Sequence, residues 1–128
     1  MIIGIGIDII DIRRIDKTIK KFGFRFINKC FLNSEINKSK TRKKSTESYA
    51  KRYAAKEACS KALGTGLARG VFWKDIEVIN DKFGKPKIIL HNKAKKLLNK
   101  FNYKNPNIEV SLSDERDYAI ANVIIFNE

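Results

Sequence analysis

ESYAKRYAAKEACSKAL, residues 47–63, decides the fold. It is built from strong helix formers, contains neither Gly nor Pro, and is followed by Gly64, a C-terminal stop. A 3.6-residue period places Ala54, Ala58 and Ala62 on one stripe, small enough to let another backbone approach closely. Tyr53, Glu57 and Lys61 recur at i, i+4 and i+8 and share a flank. The expectation is a long helix against which a sheet packs.

Working outward, residues 2–10 form a short, continuous, Ile-rich run, the signal of a buried strand. Gly4 and Gly6 inside it mark a close backbone approach or dense packing. Asp11 is placed to N-cap a helix over 12–22, with Ile12, Ile15 and Ile19 inward. Residues 22–37 read as short helical or irregular chain anchored by Phe26, Ile27, Phe31 and Leu32. Lys38–Lys44 reads as a mobile basic connection in which clustered cations are either simply solvated or hold a phosphate. After the helix, Gly64-Thr65-Gly66 opens a flexible turn and Gly70 a second. Strands at 76–80 and 87–90 flank a hairpin turn over 81–86. A helix from Asn92 turns Ala94, Leu97, Leu98 and Phe101 inward, and Asn105-Pro106-Asn107 breaks it. A half-buried strand over 108–113, a turn over 114–117 and a long apolar strand over 118–126 complete the order β-α-α-β-β-α-β-β. The fold class is α+β, with a mainly antiparallel sheet packed against the long helix.

A length of 128 residues fits a single domain, 1–128, and 43% apolar residues exclude a disordered tail. No run approaches the roughly 18 apolar residues of a membrane span. The first apolar run carries Asp8 and no small-residue cleavage site, so no secretion signal and no membrane partner are expected. Two cysteines, Cys30 and Cys59, are too few for a disulfide framework and read as reduced thiols of a cytoplasmic protein. With one histidine, His91, and no CxxC pair, zinc is not expected. The net charge of +13 favours polyanionic partners, although heavy use of Lys, Ile and Asn is an equally available source of the excess.

Asp8 is the anomaly in its strand. A carboxylate there is costly to bury uncompensated, unless it caps the following turn. Asp8, Glu57 and Lys61 together make an oxygen-rich set without thiolate or imidazole. Such a set suits a hard cation such as Mg²⁺ and a phosphate. By spacing alone, Glu57 and Lys61 equally describe an ordinary helix-surface ion pair.

Two motifs carry more. Gly4-Ile5-Gly6-Ile7-Asp8-Ile9 and Tyr53-Ala54-Ala55-Lys56-Glu57-Ala58-Cys59-Ser60-Lys61, continued by Ala62-Leu63-Gly64-Thr65-Gly66, resemble the two signatures of the 4′-phosphopantetheinyl transferases. The closest resemblance is to the small single-domain branch, the holo-[acyl-carrier-protein] synthases. Asp75-Ile76-Glu77-Val78, Gly84-Lys85-Pro86 and Val110–Asp114 with Tyr118–Ala121 extend the likeness over most of the chain. The resemblance implies transfer of the 4′-phosphopantetheine arm of coenzyme A to a serine of apo acyl carrier protein, with release of adenosine 3′,5′-bisphosphate, in fatty acid biosynthesis. It implies that Asp8 and Glu57 bind Mg²⁺ and that Lys61 steadies the diphosphate. Glu57, directly or through a water relay, is the candidate base for the serine proton. The resemblance also brings Arg52 and the Lys43–Lys44 pair to the 3′-phosphate of coenzyme A. It assigns Ser60, Gly64, Thr65, Gly66, Gly84, Lys85 and Pro86 to the same ligand. Arg13, Arg14, Lys17 and Arg25 would face the acidic carrier protein, and a homotrimer with sites between subunits is implied. Two positions depart from the pattern. Asp114 stands where many relatives carry His, which leaves it an outer metal contact or, preferably, a turn or structural residue. Tyr53 stands where Phe or Trp is commoner. The alternative from another class is a small basic nucleic-acid-binding module resting on the Lys38–Lys44 and Lys93–Lys104 clusters. Against it, no stacking platform is legible and no nucleic-acid partner is expected. A carrier-protein-binding protein without catalysis would rest on Asp114 alone.

Overall fold

Two glycines and a stripe of alanines set how the layers stack. The structure is a computed structural model in which residues 1–68 and 71–128 are described. Strand β1 (Ile2–Asp11) lies directly on helix α4 (Ser45–Ala62). A Cβ on Gly4 would collide with the carbonyl oxygen of Ala62, and one on Gly6 with that of Ala58. Those oxygens are backbone and cannot rotate away, so only glycine fits. Ala54 and Ala58 are fully buried on the helix side of this seam.

The remaining elements build around it. β1 pairs antiparallel with β5 (Tyr118–Asn127), and β5 with β4 (Pro106–Glu115), in the order β1-β5-β4. The inner face of this sheet buries Val110, Ala119, Ala121, Val123 and Ile125 against α4. A separate antiparallel pair, β2 (Ile76–Asn80) with β3 (Pro86–Leu90), turns at Gly84, whose φ of 87° favours glycine. Helix α1 (Ile12–Phe22) begins at Asp11, whose carboxylate accepts from the Arg13 amide at 3.0 Å. Helices α2 (Phe24–Cys30), α3 (Asn33–Lys40) and α5 (Asn92–Lys100) complete the chain.

The α+β class stands, with antiparallel strands packed against the long helix and divided between two sheets. Several details are corrected. The first strand is not buried throughout: Ile5, Ile7 and Ile9 are 59%, 60% and 62% exposed, because Gly4, Gly6 and Asp8 take the helix-facing side of an edge strand. Residues 22–37, read as short helical or irregular chain, hold α2 and most of α3, and α3 runs on into the supposed connection as far as Lys40. Asp114 lies within β4 and not in the turn, which is tightened to Arg116 and Asp117. Phe101 ends α5 exposed to solvent. The turn read at Gly70 lies outside the described residues.

A buried ion pair fastens the long helix to everything on its far side. Lys56 and Glu35 are both sealed from solvent. The Lys56 ammonium donates to Glu35 Oε1 at 2.7 Å and to the carbonyls of Trp73 at 2.9 Å and Ile76 at 2.6 Å. The Glu35 carboxylate also accepts from the amides of Leu32 and Val78. The group thus ties α4 to α3 and to the start of β2, with every charge hydrogen-bonded.

Urea denaturation reads the worth of both contacts. Gly6→Ala is expected to cost at least ~1–3 kcal/mol by overpacking against backbone. Lys56→Met strands a buried carboxylate and is expected to cost ~3–5 kcal/mol, part of which returns when Glu35→Gln is added.

Candidate functional site

The seam between β1 and α4 delivers three side chains to one place. Asp8 follows Gly6 on the helix-facing side of β1, and Glu57 and Lys61 stand one turn apart on α4. The Lys61 ammonium donates to Asp8 Oδ1 at 3.2 Å and to the Ile7 carbonyl at 3.0 Å. Asp8 therefore pairs with the helix and does not cap the turn after its strand. Burial first, and then the charge of Asp8, push the Glu57 carboxyl above the usual carboxylate range, while Lys61 and Arg14 pull the other way. Asp8, Glu57, Lys61 and Arg14 thus share one electrostatic neighbourhood. Tyr53 closes it one turn earlier. Its ring stacks on Trp73 with centroids 4.4 Å apart, and burial pushes its phenol up to about 12.

The donors at this site are oxygens. Among the described residues, no group of three or more His, Cys, Asp or Glu gathers anywhere. Two carboxylates without a soft ligand fit a hard cation that completes its shell with waters and phosphate oxygens.

A second feature lies along the N-terminal half of α4. A cavity of about 500 Å³ is lined by Arg42, Lys43, Lys44 and Lys51, with Gly84 and Pro86 contributed by the hairpin. Arg52 borders it and is only 5% exposed. Its Nη1 donates to Ser48 Oγ at 2.8 Å and its Nη2 to Asn80 Oδ1 at 2.9 Å, while its buried Nε finds no partner among the described residues. A held guanidinium with an unpaired N–H among lysines is chemistry for a phosphate.

The other expected residues divide. Lys43, Lys44, Arg52, Gly84 and Pro86 are brought together at this cavity. Gly64, Thr65 and Gly66 are not, because they follow the other end of α4. Lys44 and Lys61 alone are separated by roughly 25 Å along the axis at 1.5 Å per residue. Ser60 is fully buried, its hydroxyl donating to the Glu57 carbonyl at 2.7 Å, so it serves the helix and not a ligand surface. Lys85 turns to Glu109 at 3.1 Å. Arg14, Lys17 and Arg25 are exposed on α1 and α2, but Arg13 is engaged by Asp11 at 2.8 Å and Asp117 at 3.4 Å. Asp114 pairs with Lys51 at 3.3 Å, a structural tie between β4 and α4. Ser48 and Asn80 were not legible as functional residues. Ser48 carries an i, i+4 signal toward Arg52, whereas Asn80 lies 28 residues away along the chain.

Residues 4–123 match the family described as ACPS, the 4′-phosphopantetheinyl transferase superfamily. The chain is 54% identical to the holo-[acyl-carrier-protein] synthase of Agrobacterium fabrum, over 98% of this chain and 95% of that protein. It is 50% identical to that of Rhizobium meliloti, over 100% and 92%. Among solved structures, the holo-[acyl-carrier-protein] synthase of Neisseria meningitidis superposes with a TM-score of 0.88 at 35% identity, covering 99% of this chain and 100% of that one. The enzyme from Bacillus anthracis, solved in complex with CoA (3′,5′-ADP), superposes with a TM-score of 0.81 at 38% identity, covering 100% and 99%. These matches, on a fold that brings Asp8, Glu57 and Lys61 to one seam, establish that the chain belongs to the 4′-phosphopantetheinyl transferase superfamily, in its holo-[acyl-carrier-protein] synthase branch.

Proposed function

We propose that the protein transfers 4′-phosphopantetheine from coenzyme A to a serine of apo acyl carrier protein, releasing adenosine 3′,5′-bisphosphate, in support of fatty acid biosynthesis in the cytoplasm. The whole chain, 1–128, acts as one transferase domain. The convergence of Asp8, Glu57 and Lys61 carries the proposal. A chain-long family match leaves the nucleic-acid-binding and non-catalytic alternatives without support of comparable weight.

In the reaction the serine oxygen attacks the phosphorus that bears pantetheine. The bond from that phosphorus to the bridging oxygen breaks, and the serine proton passes to a base. Mg²⁺, when bound, neutralises the diphosphate and the charge that grows on the departing bisphosphate. Asp8 and Glu57 supply the oxygens that hold it. Lys61 steadies phosphate oxygens as a point charge. Glu57 accepts the serine proton directly or, because a carboxylate that holds Mg²⁺ is a weakened base, through a water relay. Arg52, Lys43 and Lys44 receive the 3′-phosphate, and Gly84 and Pro86 border the nucleotide. Arg14, Lys17 and Arg25 offer the acidic carrier protein a basic surface beside the carboxylates.

The bare face of β1 supports a further element of the proposal. Ile5, Ile7 and Ile9 form an apolar stripe on an edge strand, with Ile120 exposed opposite Ile9. Such a surface is normally covered. A homotrimer joined through it would bring residues from opposite ends of α4, on different copies, into one site.

Two experiments test this function. Incubation with coenzyme A, Mg²⁺ and apo acyl carrier protein is expected to add the arm to the carrier serine, read by intact mass. EDTA should abolish transfer. Asp8→Ala, Glu57→Gln and Lys61→Ala should each slow it at least ~10²-fold with unchanged circular dichroism. Native-rate transfer by Glu57→Gln would remove that carboxylate from the mechanism. Separately, light scattering should report a trimer for the parent and a monomer for Ile7→Lys, with transfer lost in parallel.

A further inference from the structure

Lys61 sits where it must oppose the cation that its neighbours attract. Its ammonium is 3.2 Å from Asp8 Oδ1 and also holds the Ile7 carbonyl. Asp8 is largely enclosed, at 16% side-chain exposure, whereas Lys61 is 51% exposed. The acid is thus fixed in the seam, and its counter-charge rides on a flexible stem half in solvent. Arg14, from α1, also acts on the Glu57 carboxylate. A divalent ion approaching Asp8 and Glu57 competes with the ammonium for the Asp8 oxygen and is repelled by it. An arriving diphosphate reverses this. It offers Lys61 a new anionic partner and draws it off Asp8.

We infer that Lys61 is an internal counter-ion that holds the carboxylate pair closed to free metal and yields it when the metal arrives with a diphosphate. The inference rests on the proposed reading that Asp8 and Glu57 hold the cation. It gives Lys61 opposite effects on metal affinity before and after the nucleotide binds. It also makes the order of assembly a property of one side chain. Metal and coenzyme A load together, and the empty enzyme holds free divalent ions only weakly.

The test is a Mn²⁺ titration of the full chain followed by electron paramagnetic resonance, which reads free Mn²⁺ without catalysis. Lys61→Met is expected to bind Mn²⁺ about tenfold more tightly than the parent when no nucleotide is present. Adenosine 3′,5′-diphosphate alone lacks the bridging diphosphate, so the second arm uses coenzyme A. With it present, the advantage of Lys61→Met should vanish or reverse. Lys61→Arg, which keeps the charge, should retain the weak binding of the parent. Equal Mn²⁺ affinity in the parent and Lys61→Met without nucleotide would overturn the inference. Asp8→Asn separates the two levels. If it abolishes Mn²⁺ binding while Lys61→Met changes nothing, the site stands and the counter-ion role falls. If Asp8→Asn binds Mn²⁺ like the parent, the carboxylate site itself is wrong and the inference falls with it.

Discussion

The contact between the glycines of β1 and the carbonyl oxygens of α4 is the constraint on which the molecule depends. Removing two side chains from the strand and keeping only methyl groups on the helix brings two backbones into direct contact. Little apolar area is gained at such a seam, so its worth lies in geometry. It brings a strand carboxylate within reach of a helix flank with no long side chain between them. A carboxylate on a strand and another on a helix can share one ion only if the elements cannot drift apart.

On the opposite side of α4 the attachments are polar. Lys56 and Glu35 join the helix to α3 and β2, and Arg52 reaches Asn80 at the far end of β2. Buried ion pairs often add little net stability, and their advantage lies in allowing only one arrangement. Here that arrangement aligns the hairpin carrying Gly84 and Pro86 with the basic cavity. One helix therefore carries two chemistries on different stretches. Its N-terminal half presents cations, and its C-terminal half presents the carboxylate site. Asp114, paired with Lys51, braces the same helix from β4.

Much of this was legible in the sequence because it is written locally. The helix over 47–63, its alanine stripe, the Tyr53–Glu57–Lys61 flank and the cap at Asp11 depend on residues within a few positions of each other. Gly4 and Gly6 announced a close approach, although not what approaches. The rest depends on partners distant along the chain. Lys56 gave no local sign that it would be sealed against Glu35, 21 residues earlier. α3 has a weak pattern because Ile36 is its only buried apolar residue, so the stretch read no more definitely than as short helical or irregular chain. The strand over 2–10 read as buried because its isoleucines are continuous, yet the pleat puts alternate ones on a face that this chain leaves bare. Arg13 was placed with the carrier-facing cations, whereas Asp11, two residues before it, and Asp117, across the sheet turn, both engage it.

In the proposed reaction, Asp8 and Glu57 grip one divalent ion against a diphosphate. Anomalous diffraction at the manganese edge, from crystals grown with Mn²⁺ and coenzyme A, tests it most directly. A single strong peak is expected at each site, bonded to oxygens of both carboxylates and of the diphosphate. A peak that touches neither carboxylate, or coenzyme A bound in full with no metal between them, would contradict it.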